Sequence, residues 1–141
     1  MLCGLSIRNI VLIDSLDLSF SRGLTVLSGE TGAGKSILLD ALGVALGGRV
    51  DTSMRRDGAP QASVTATFEI KNHEFLEEFF DKSGLSVNGP EEQLLHLRRV
   101  INDDGRTRAF INDQPVTANM LREIGDLLVE IQGQFDAQGL L

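Results

Sequence analysis

Apolar positions recur along the chain at two spacings, every second residue and every third to fourth, and the changes between them predict its elements. Residues 2–13 are apolar and β-branched, interrupted by Arg8 and Asn9, and read as a strand with a bend. Residues 15–20 alternate, Leu16, Leu18 and Phe20 against Ser15, Asp17 and Ser19, as a half-buried strand does. After the turn Ser21-Arg22-Gly23, the short run Leu24-Thr25-Val26-Leu27 fits a central strand. Residues 36–46 are apolar nearly all round, which predicts an interior helix closed by Gly47-Gly48.

The second half is equally patterned. A polar loop over residues 49–60 precedes Val64, Ala66, Phe68 and Ile70, which alternate with Thr65, Thr67 and Glu69 as a further strand. Residues 72–82 form an amphipathic helix whose stripe of Phe75, Leu76, Phe79 and Phe80 calls for ordinary core packing. Turn residues crowd positions 83–92. Two strand-like runs, residues 94–101 and 106–111, then flank Asn102-Asp103-Asp104-Gly105, a hairpin signal. Thr117 is placed to cap a helix, with Val116 and Leu121 as its hydrophobic staple. That helix is expected to stop at Gly125, residues 127–131 to form a last strand, and residues 132–138 to leave it as a polar loop.

Composition narrows the class. With 141 residues, 42% apolar and 23% charged, the chain is expected to be a single soluble domain. A formal net charge of −7 argues against a nucleic-acid clamp and leaves room only for local basic stripes. Ten arginines stand against three lysines, a bias towards planar, bidentate contacts with phosphate or carboxylate. The lone Cys3 excludes an internal disulfide, a zinc finger and a Cys-x-x-Cys pair. The N-terminus lacks the pattern of a signal peptide, and the longest mostly apolar stretch, residues 37–46, carries Asp40 and is too short to cross a bilayer. A cytoplasmic protein without a membrane partner is the expectation.

One segment carries chemistry. Gly29-Glu30-Thr31-Gly32-Ala33-Gly34-Lys35-Ser36 follows an apolar strand and opens an apolar helix. Glycines at 29, 32 and 34 let the backbone wrap closely, so that successive N–H groups form an anion nest. The electropositive helix end faces the same anion. Lys35 adds a point charge for the β and γ phosphates, and the Ser36 hydroxyl is a Mg²⁺ ligand. A nucleoside triphosphate, ATP with Mg²⁺, is the expected cofactor. Hydrolysis also needs an acid at a strand end, and the local candidate is Glu130, with a polar-face residue as the plainer reading.

These residues resemble the N-terminal part of the RecN family, DNA repair proteins of the SMC-like branch of ABC ATPases. The resemblance rests on Leu5-Ser6-Ile7-Arg8-Asn9, the Gly23-Leu24-Thr25-Val26-Leu27-Ser28 strand and the phosphate loop. It extends through Asp40-Ala41-Leu42-Gly43, Leu46-Gly47-Gly48-Arg49 and the hairpin Gly105-Arg106-Thr107-Arg108-Ala109-Phe110-Ile111-Asn112. It implies an α/β P-loop NTPase half-head of ABC/SMC type: a mixed sheet, an antiparallel β lobe and a buried helix after the P-loop. Residues 1–141 would be the N-terminal portion of the head, incomplete without its C-terminal half, which carries the signature motif, the Walker B acid and the switch histidine.

The resemblance also implies that Ile131-Gln132-Gly133-Gln134-Phe135 is the Q-loop, Gln134 reaching Mg²⁺ and the attacking water beside Lys35 as a catalytic group. Gln132, Phe135 and Ala137 stand where the family has histidines. Asp113 replaces the glycine of the hairpin's second turn, which implies a different turn geometry. Implied partners are the C-terminal half of the same head, a second head engaged through ATP, and DNA, on a nucleoid-associated protein. Arg55 and Arg56 occupy a loop where related heads place an arginine near nucleotide or DNA. Arg98, Arg99, Arg106 and Arg108 cluster on the hairpin as a phosphate contact or a salt-bridged face. Two other classes remain open: a self-contained small P-loop kinase using Glu130, and a nucleotide-binding module without catalysis.

Overall fold

In a computed structural model the described residues are 2–20, 33–70, 74–84 and 94–139. The expected strand at Leu24-Thr25-Val26-Leu27 lies outside them. Six strands, β1 (Leu2–Ile10), β2 (Ile13–Ser19), β3 (Gln61–Glu69), β4 (Leu94–Asn102), β5 (Thr107–Ile111) and β6 (Gln114–Val116), form one sheet in the order β2-β1-β3-β4-β5-β6. Every neighbouring pair is antiparallel, so the described sheet is the antiparallel lobe of the expected mixed architecture. Helices α1 (Ala33–Ala45), α2 (Glu74–Ser83) and α3 (Ala118–Gly139) complete the described elements, with a short 3-10 turn at Thr52–Met54.

Alternation decides which face is covered. Leu5 and Ile7 of β1 stand opposite Ala66 and Val64 of β3, which in turn face Leu97 and Arg99 of β4. All of these are buried, and α1 lies across them against β1, β3 and β4. Small side chains at Ala62, Ala66 and Ala109, with Ala41 and Ala45 on the helix, let backbone approach backbone. The other face carries Ser6, Arg8, Thr65, Thr67, His96 and Arg98, polar and partly exposed. The α2 stripe packs as expected, with Leu76, Phe79 and Phe80 buried and the two phenylalanines edge to face.

The structure departs from expectation at several places. Residues 2–13 are not one bent strand: Ile10 pairs with Ile13 and the chain reverses at Val11-Leu12. Nothing in Ile10-Val11-Leu12-Ile13 signals a turn. It is imposed from outside, because the Val11 N–H donates to Met54 O at 2.7 Å while Val11 takes a left-handed φ of 51°.

The second departure lies at the C-terminal end. Neither a stop at Gly125 nor a strand over residues 127–131 forms; α3 runs unbroken from Ala118 to Gly139. Leu121, Ile124 and Leu128 are all buried at helical spacing, and Gly125 between them is a point of close approach rather than a terminator.

The third concerns Asp113. Asn112 and Asp113 have φ of 48° and 65°, the left-handed pair of a type I′ hairpin turn. The turn geometry that glycine favours is therefore kept, with Asp113 bearing the strain.

Candidate functional site

The helix after the phosphate loop begins earlier than its apolar pattern suggests. α1 starts at Ala33, so Gly34, Lys35 and Ser36 all lie on its first turn. No acidic residue occupies that turn, so the helix itself supplies no counter-charge to its positive end there. Ser36 is exposed. A helix N-terminus with an exposed hydroxyl on its first turn fits a phosphate and its metal ion. Gly29, Glu30, Thr31 and Gly32 lie outside the described residues, as do the side chains of Ala33, Gly34 and Lys35.

α1 is interior on one side only. Ala41, Leu42, Val44 and Ala45 are buried, whereas Ser36, Leu39 and Asp40, at spacings of three and four, form an exposed flank. The flank borders a groove of about 500 Å³ whose walls include Val11, Ile37, Leu39, Asp40, Arg49 and Met54.

The chain leaving α1 straps back over the β1–β2 turn. The Met54 N–H donates to Asp51 O at 2.9 Å, the Arg56 N–H to Asn9 O at 2.8 Å, and Arg55 bridges to Ile10. This strap fixes both loop arginines. The Arg55 guanidinium donates to Ala59 O, and Arg56 Nη1 stands 3.3 Å from Asp14 Oδ1. Each is engaged within the chain's own fold, close to the groove.

The hairpin arginines separate. Arg98 stacks over Phe110 at 4.4 Å on the polar face, with Asp113 3.8 Å away. Arg106 and Arg108 are exposed, and Arg106 Nε lies 3.8 Å from Asp104 Oδ2. Arg106 thus stands by an acid of its own turn. Arg99 is buried on the core side, in phase with Leu95, Leu97 and Ile101. Desolvation, and then the nearby charge of Arg122, pull its pKa below the usual arginine value. Strand alternation alone identifies this inward arginine, a signal that grouping the four by proximity conceals.

Gln134 and Glu130 fall on α3, not on a loop and a strand end; their side chains lie outside the described residues. The kinase reading loses the strand-end acid it needed.

Residues 4–138 match the AAA domain family. The chain belongs to that family. Among curated relatives of this AAA domain, the DNA repair protein RecN of Haemophilus influenzae is 44% identical, and that of Bacillus subtilis 40% identical, each over the whole of this chain. The chain spans about a quarter of the length of those relatives (25% and 24%). Among solved structures, the SMC head domain from Thermotoga maritima superposes with a TM-score of 0.58 at 18% identity, covering 86% of this chain and 41% of that one. The recombination mediator protein RecF with ATP gives 0.55 at 12% identity over 82% and 27%. At such identities the likeness is one of fold: an AAA domain built as in SMC- and RecF-type heads.

Proposed function

We propose that this chain is the ATP-binding segment of a DNA double-strand-break repair ATPase, one half of a head that ATP engages with a second copy. The observation that carries the reading is Gly34, Lys35 and Ser36 on the first turn of α1, in a chain 44% identical to RecN. In this reading the backbone of residues 29–36 and the Lys35 ammonium hold the β and γ phosphates, and Ser36 ligates Mg²⁺. Gln134 orients the attacking water. The missing acid comes from the C-terminal half of the same head, DNA is the partner of the complete protein, and the work is done in the cytoplasm at the nucleoid.

Calorimetric titration of the complete protein with Mg²⁺-ATP tests it. Lys35→Ala is expected to weaken binding by at least about a hundredfold, since the ammonium–phosphate contact is a charge-assisted one. Equal affinity of the variant and the parent protein would sink the reading.

A further inference from the structure

The C-terminal end of α1 is closed in a way that its own turn does not require. The Gly48 N–H donates to Gly43 O at 2.8 Å and the Gly47 N–H to Val44 O at 3.1 Å, with Gly47 at a φ of 90°. This is a Schellman end, in which the helix's last carbonyls are already served. Two arginines from distant elements nevertheless reach the same place. Arg99 of β4 donates Nη1 to Gly48 O at 3.4 Å, its Nε and Nη2 both resting on Thr107 Oγ1. Arg122 of α3 donates Nε to Gly47 O at 3.3 Å.

Arg99 is only 6% exposed, and among the described residues no carboxylate pairs with it. Its counter-charge is the negative end of the α1 dipole. For stability alone an apolar side chain here, in phase with Leu97 and Ile101, would serve as well or better. What a guanidinium adds is direction: it holds carbonyls in one orientation.

The backbones touch at the same junction. A β-carbon on Gly47 would lie 2.5 Å from Arg122 Cα, and one on Gly125 would strike Leu46 O. The turn that closes α1, Leu46-Gly47, therefore lies in direct main-chain contact with α3. From Ala45 at the end of α1, Lys35 lies ten residues back, about 15 Å, and Gln134 lies nine residues beyond Gly125 on α3, about 14 Å, at the helical rise. α3 is continuous between them.

We propose that Arg99 and Arg122 are positioning residues that lock the closing turn of α1 against α3, so that Lys35 and Gln134, one on each helix, keep a fixed relation during turnover. The lock rests on the roles given above to Lys35 and Gln134, and it touches neither the nucleotide nor the water.

The test uses the complete protein, with steady-state ATP hydrolysis, ATP titration and a thermal melt on each variant. Arg99→Met and Arg122→Met are expected to lower kcat at least about tenfold while the ATP Kd moves less than about threefold, the pattern of a loss confined to the transition state. Arg99→Lys is expected to restore part of the rate. In a Gln134→Ala background, Arg99→Met is expected to add no further loss to the residual rate, because both changes disable one unit.

Unchanged kcat, losses that multiply with that of Gln134→Ala, or a Kd rising in step with the lost rate would each overturn the lock. If Arg99→Met does not fold, exposed Arg122 carries the same comparison. Should Gln134→Ala itself leave kcat intact, the glutamine's role falls and the lock with it. Should Gln134→Ala abolish turnover while both arginine variants keep it, the lock falls alone.

Discussion

Asp113 sits in a left-handed conformation that L-residues adopt at a cost of about 1–2 kcal/mol. Its contact with Arg98 is 3.8 Å long and its side chain is 89% exposed, so little is lost when it is removed. Asp113→Gly is therefore expected to stabilise the protein by about 0.5–1 kcal/mol, the glycine's greater freedom in the unfolded chain offsetting part of the gain. A rise in the urea midpoint at constant m would show it, and a fall would mean that the turn is not of type I′. Single residues also show why parts of the chain were hard to read. Asp113 looks like a changed turn because glycine is absent, yet the hairpin register and Asn112 enforce the same backbone: Asn112 Oδ1 accepts from the His96 N–H at 2.8 Å, and its own N–H donates to His96 O at 2.9 Å. Val11 looks like a strand residue because the cause of its turn is a carbonyl more than forty positions away.

At the scale of elements, legibility followed the locality of the signal. The cap at Thr117 was readable because a hydroxyl and an N–H three residues on decide it: Met120 N–H donates to Thr117 Oγ1 at 3.1 Å. Val116 and Leu121 both join the core, as a staple requires. Thr117→Ala is expected to cost about 1 kcal/mol, measured as a lower urea midpoint. No loss would mean that solvent satisfies the same donors. The strand pattern of β3, β4 and β5 was legible for a similar reason, since one face is buried throughout. The end of α3 was not. Gly125 carries the local mark of a stop, but its lack of a side chain answers to Leu46 O on another helix, a tertiary demand invisible to local propensity.

Across the whole molecule, the family was legible because glycine, lysine and serine at fixed spacing need no tertiary information to be recognised, and residues 4–138 match the AAA domain family. The junction of Arg99 with the end of α1 was the least legible feature, because it joins residues 51 positions apart. The described residues also leave apolar side chains in water: Leu12 is 84% exposed, and Leu39 and Val11 stand together at the groove. The 141-residue chain on its own is expected to self-associate with rising concentration, and Leu12→Ser with Leu39→Ser to suppress that association several-fold. Sedimentation velocity would decide, and a parent chain that stays monomeric would count against the groove as a surface awaiting cover.

The position of β1 between β2 and β3 has a consequence for biosynthesis. Its first neighbour, β2, follows immediately, whereas its second, β3, starts only at Gln61. At translation rates of about 5–20 residues per second, one side of β1 waits some 3–10 s with its peptide groups unpaired. During that interval the nascent hairpin presents an open edge, of the kind that other unfinished chains or a chaperone can seize.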